Sequence, residues 1–102
     1  MITWVRSANI NTGKRDGAIE WALRISAYVG DTFGTNVNVQ GNVAGPYNQI
    51  HWVATYDSLA ALEKASARFF QDDGYLSLLA ESTAAGFFDT HSINDAIYRT
   101  LG

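Results

Sequence analysis

The run YNQIHWVATY at residues 47–56 decides how this chain folds. It is β-branched and aromatic, and both of its parities carry bulky groups: Ile50, Trp52, Ala54 and Tyr56 alternate with His51, Val53 and Thr55. Gly45-Pro46 punctuates the chain just before it, because a residue preceding proline is pushed out of the helical region. A strand over 47–56, covered on both faces, is expected. Upstream, residues 35–43 alternate Val37, Val39 and Val43 with Asn36, Asn38, Gln40 and Asn42. That is a second strand with one polar face, antiparallel to the first, with a bulge or bend at Gly41. Downstream, Asp57 or Ser58 can cap a helix whose stripe runs through Leu59, Leu62, Ser66, Phe69 and Phe70. Asp72-Asp73-Gly74 interrupts that stripe, and Tyr75, Leu76, Leu78 and Leu79 restart it as far as about Ala85. The helix is therefore kinked or in two pieces, and Gly86 ends it.

Further out, residues 2–10 alternate again, with Ile2, Trp4, Ala8 and Ile10 on one parity and Arg6 the one charge among them. Asn11-Thr12-Gly13 supplies a turn, and residues 14–29 place Ala18, Trp21, Ala22, Ile25 and Val29 at helical spacing, with Gly17 a mild weakness near the start. Gly30 and Gly34 are the candidate terminators. Toward the other end, residues 87–93 read as the last strand, and 94–102 as a tail that adds a short helix or an edge segment.

The order β-α-β-β-α-β is that of a ferredoxin-like α+β fold, with a four-stranded antiparallel sheet and its helices on one face. The helices leave the other face bare, although its strands carry apolar side chains. A second copy of the chain closing over that face, sheet to sheet, resolves the conflict, since several hundred Å² of shared apolar surface contributes on the order of 10 kcal/mol before association costs.

The 102 residues suit one domain spanning 1–102. Hydrophobic residues at 47% and charged residues at 17% exclude a disordered chain. Seven basic residues, dispersed along a chain of net charge −3, argue against nucleic acid as a partner. Without cysteine there is no disulfide, thiolate nucleophile or Cys-type metal centre. The opening residues lack the pattern of a signal peptide, and no stretch approaches the roughly 18 apolar residues that span a bilayer. A soluble cytoplasmic protein without membrane association is expected.

Two segments, IHWVATYDSLAALE at 50–63 and DGYLSLLA at 73–80, resemble NIPSNAP-like members of the dimeric α+β barrel superfamily. The resemblance implies a homodimer whose two sheets face each other as a barrel, with the helices outside. The superfamily also includes cofactor-independent monooxygenases, isomerases and haem-handling enzymes, so the fold leaves function open.

No cofactor motif is present; the glycines never assume nucleotide-binding spacing. His51 and His91 are the only imidazoles, and either could move a proton near neutral pH. They lie 40 residues apart with no metal-ligand spacing, so no metal site is expected. Asp89, two residues before His91 on the expected last strand, could form a carboxylate–imidazole couple on one sheet face, or a solvated rim pair. Arg6 could hold a substrate carboxylate or enolate, or pair with an acidic residue across a dimer. Trp4, Trp52 and Tyr47 could wall a pocket for a flat aromatic ligand, as could Trp21, Tyr28 and Tyr56, or could serve as core and dimer contacts. Asn38 and Gln40 could line its wet side, or an exposed edge face.

Three functions are compatible with these residues. One is a homodimeric module binding a small apolar or aromatic molecule. Another is a cofactor-independent monooxygenase or isomerase acting on an aromatic or quinol-type substrate, with a histidine as base and Arg6 or an asparagine on the developing oxyanion. The last, haem held by one histidine, needs a larger pocket than so short a chain easily builds.

Overall fold

A computed structural model describes residues 1–102. Strand β1 (Ile2–Asn9) leads into helix α1 (Arg15–Phe33), followed by the hairpin of β2 (Val37–Gly41) and β3 (Gln49–Tyr56). Helices α2 (Leu59–Phe69) and α3 (Asp73–Ala85) follow, then a single 3-10 turn at Thr90–Ser92 and strand β4 (Asn94–Arg99). The sheet order is β2-β3-β1-β4, every neighbouring pair antiparallel, which is the ferredoxin-like arrangement. No helix is long and apolar enough to cross a membrane.

Local chemistry sets most boundaries. The Ser58 hydroxyl accepts the Ala61 N–H at 3.1 Å and starts α2. The interrupted helix is in two pieces, and Asp72 begins the second by accepting the Tyr75 N–H at 2.9 Å. Of the two glycines proposed to end α1, Gly34 does so, at φ 72°, while Gly30 stays helical. Gly86 ends α3 at φ 66°.

The last strand is displaced from its expected place. Residues 87–93 contribute only an isolated bridge, Ile10 to Phe88, and the 3-10 turn; the strand is Asn94–Arg99, inside the presumed tail. Phe87 and Phe88 owe their apolar character to packing against the core, where Phe88 stands edge-on to Trp21 and Trp52 at centroid distances of 5.7 and 5.5 Å. An edge strand needs no such density, and five of the six residues of β4 are exposed.

Cross-strand register puts Trp4, Arg6 and Ala8 of β1 on the same face as Ala54, Trp52 and Ile50 of β3. This is the helix-covered face, and its core is completed by Ala18, Trp21, Ala22, Ile25 and Val29 of α1 with Tyr75 of α3. Helix α2 buries no residue fully, and a cavity lies beneath it. The opposite face of the sheet is bare. Val5 stands there between Val53 and Ala96, beside Thr3 paired with Tyr98.

Candidate functional site

The cavity beneath α2 has a volume of about 380 Å³. That is within the range of small-molecule pockets, about 300–1,000 Å³. Trp4, Arg6 and Ala8 of β1 and Trp52 and Tyr56 of β3 make its floor. Leu62, Ser66, Phe69 and Phe70 roof it from α2, Trp21 and Ile25 wall it from α1, and Tyr75 and Leu79 from α3. Fifteen of the 23 lining residues are hydrophobic, so a ligand here gains mainly by leaving water.

The floor carries the only two charges in the lining, Arg6 and Asp95. They are cross-strand partners, and register brings them together: Arg6 Nε donates to Asp95 Oδ1 at 2.7 Å and Arg6 Nη2 to Asp95 Oδ2 at 2.9 Å. Trp4 Nε1 donates to the same carboxylate at 3.4 Å, and the guanidinium lies 5.4 Å from the Trp4 ring centroid. The hydrogen bonds from Arg6, and secondarily its charge, hold the Asp95 carboxyl below its ordinary pKa; Asp95 in turn raises that of Arg6. Burial raises the phenols of Tyr56 and Tyr75, which remain neutral hydroxyls at physiological pH.

Trp52 supplies the third polar feature. Its indole Nε1–H is buried and has no hydrogen-bond partner within the chain, whereas Trp21 Nε1 donates to the Leu78 carbonyl at 2.9 Å. A buried donor left unpaired is costly, by about 1–3 kcal/mol.

Other sequence candidates fall elsewhere. His51 projects from the bare face, its Nδ1 2.6 Å from Ser7 Oγ and its Nε2 against Asn42 Oδ1. The hydrogen-bonded series Ser7–His51–Asn42 resembles that of an activated nucleophile, but Ser7 sits mid-strand on an open sheet, outside the cavity. Asp89 and His91 form no carboxylate–imidazole couple: Asp89 precedes the 3-10 turn, and its Oδ1 accepts the His91 backbone N–H at 3.0 Å. Tyr47 is exposed in the β2–β3 connection, with Arg15 4.7 Å from its ring centroid. Asn38 and Gln40 are exposed on the bare face of edge strand β2, paired with Val53 and His51. Tyr28 instead donates to Asp72 between α1 and α3.

The cavity thus unites Arg6, Trp4 and Trp52 with Trp21 and Tyr56, and leaves out both histidines, Asp89, Tyr47, Asn38 and Gln40. Asp95 is the cavity residue that the sequence reading missed. Arg6, placed among apolar residues, called for an acidic partner, and the displacement of the last strand hid which one. The partner lies in the same chain.

Comparison with solved structures reaches essentially the whole chain. An uncharacterised NIPSNAP domain protein from Burkholderia xenovorans superposes with a TM-score of 0.82, covering 99% of this chain and 95% of that one at 12% sequence identity. A NIPSNAP family protein from Agrobacterium tumefaciens gives 0.77, over 98% and 85%, at 16% identity. This chain has a NIPSNAP-like fold. The same fold extends to the cofactor-independent oxygenase SnoaB from Streptomyces nogalater, at a TM-score of 0.68 over 99% and 93% of the two chains and 13% identity. No protein-family model matches the sequence, and no curated protein matches it. Within the NIPSNAP-like fold, then, the chemistry must be read from the residues that line the cavity of this chain.

The Arg6–Asp95 pair makes stability dependent on acid. Because the Asp95 carboxyl is held below its unfolded value of about 3.9, its contribution is fully present above that pH and disappears as pH falls through the lower folded value. Urea midpoints of the wild-type protein and Asp95→Asn, measured from pH 7 to pH 2.5, should differ at neutral pH and converge below about pH 4. A gap that stays constant would separate Asp95 from Arg6. The pair is about one-third exposed on each side, so its contribution is modest.

Proposed function

We propose that this protein is a small cytoplasmic homodimer that binds one apolar or aromatic molecule in the cavity of each subunit. The observation that carries the reading is the cavity itself: about 380 Å³, walled by tryptophan, tyrosine and phenylalanine, with a paired charge at its floor. Aromatic walls favour a flat ligand. Dimerisation is supported by the bare face, where Val5, Val53, Ala96 and Tyr98 adjoin. A second sheet laid on it would remove these groups from water.

The oxygenase or isomerase alternative called for a histidine base in the ligand cavity, with Arg6 or an asparagine on the developing oxyanion. Neither histidine lines the cavity, and its one carboxylate is committed to Arg6. Ligand binding needs no such base and is the reading we adopt.

The test is titration with 2-naphthol, followed by tryptophan fluorescence and by the three indole N–H resonances. Saturable binding is expected, with the Trp52 resonance shifting as the naphthyl ring packs against the indole that lines the cavity. Ser66→Phe, which fills the cavity from α2, should abolish both responses. Binding that leaves the Trp52 resonance unmoved and survives Ser66→Phe would place the ligand elsewhere and remove this reading.

A further inference from the structure

We infer that the Arg6–Asp95 pair makes the cavity selective for uncharged ligands, with Asp95 acting as a built-in occupant of the site a ligand carboxylate would otherwise take. The inference rests on the ligand-binding reading above and specifies the chemical class of the ligand.

An arginine in an apolar pocket ordinarily marks an anion site, because its planar fork matches a carboxylate bidentately. Here one edge of that fork, Nε with Nη2, is already filled and its charge is paired. Nε and Nη2 each donate to a different oxygen of Asp95, and Trp4 Nε1 adds a third, longer contact to the same carboxylate. The pairing is fixed by strand register, since Arg6 and Asp95 face each other across β1 and β4. No other charged group lines the cavity. A ligand carboxylate entering the cavity would lose its water and meet Asp95 at close range, with the guanidinium already neutralised. A neutral molecule meets no such opposition. Removing the charge of Asp95 while keeping its shape should turn the same cavity into a carboxylate receptor, because the charge of Arg6 is then uncompensated.

Two isosteric probes separate these cases: 2-naphthamide, which is neutral, and 2-naphthoate, which is anionic at pH 7. The wild-type protein should bind 2-naphthamide at least about tenfold more tightly than 2-naphthoate, a discrimination of the size expected for one charge-assisted interaction. In Asp95→Asn, 2-naphthoate affinity should rise about tenfold or more while that for 2-naphthamide changes little. Arg6→Gln combined with Asp95→Asn should erase the gain. Equal binding of the two probes by the wild-type protein overturns the inference and needs no variant to do so. So does an Asp95→Asn protein, folded by circular dichroism, that gains no affinity for 2-naphthoate. If the wild-type protein binds neither probe nor 2-naphthol, the ligand-binding reading fails and this inference falls with it; if it binds 2-naphthol but does not discriminate between the naphthyl pair, only the selectivity falls.

Discussion

Trp21→Ala is expected to lower the free energy of unfolding by about 3–5 kcal/mol. Trp21 is 5% exposed and joins three elements: its ring stands edge-on to Trp52 of β3 and to Phe88, and its Nε1–H donates to the Leu78 carbonyl of α3. Truncation removes the ring from both aromatic contacts, enlarges a cavity that is already there and cuts the link to α3. Against a typical total of about 5–15 kcal/mol, such a loss leaves a domain of this size marginally folded. The check is a urea melt, where the midpoint should fall sharply with the m-value unchanged. Trp21→Phe keeps most of the ring contact and loses the hydrogen bond, so its loss should be clearly smaller. A Trp21→Ala protein within about 1 kcal/mol of wild type would mean that the ring does not support the core as described.

Gly74→Ala is expected to destabilise by about 1–3 kcal/mol, against the sign that helix propensity predicts. Gly74 lies in the first turn of α3, where alanine would ordinarily be favoured by about 1 kcal/mol. A Cβ there would collide with the Tyr28 hydroxyl oxygen and lie 2.6 Å from Cζ. The Tyr28 ring cannot yield cheaply, because its hydroxyl donates to Asp72, the cap of α3, and its ring stands edge-on to Phe33. That hydrogen bond holds the Asp72 carboxyl below, and the Tyr28 phenol above, its ordinary pKa. In a Tyr28→Ala background the obstruction is gone, and Gly74→Ala should become stabilising. Urea midpoints of the four proteins in this cycle decide the point. A stabilising Gly74→Ala in the wild-type background would show that α1 and α3 do not approach here. Gly17 is a parallel case, since a Cβ there would meet the Phe87 ring at 2.7 Å.

These two glycines show where sequence reading stops. Gly17 read as a small weakness in a helix, and Gly74 as part of an interruption, because propensity concerns a chain without neighbours. Their actual reason is close approach by an aromatic ring from a distant segment. The site divides in the same way. Trp4, Trp52 and Arg6 could be singled out because each is conspicuous on its strand. Tyr47 was equally conspicuous, yet it lies on a connection where nothing covers it. Asp95 was ordinary as a letter and became important only when register set it opposite Arg6.

What the sequence determined unaided was local: the alternation of β1, β2 and β3, the break between α2 and α3, the stop at Gly86, the caps to within a choice of two (Asp57 or Ser58, Gly30 or Gly34), and from their order the ferredoxin-like plan. Those signals reside in neighbouring residues, where backbone geometry and side-chain period act directly. Only the tertiary structure decided that the final strand is Asn94–Arg99, that His51 belongs to the bare face and that Arg6 meets Asp95 over an apolar cavity. Each of these depends on which distant strand supplies the hydrogen bonds and which ring fills the space. Pairing across some 90 residues leaves no period in the chain to read.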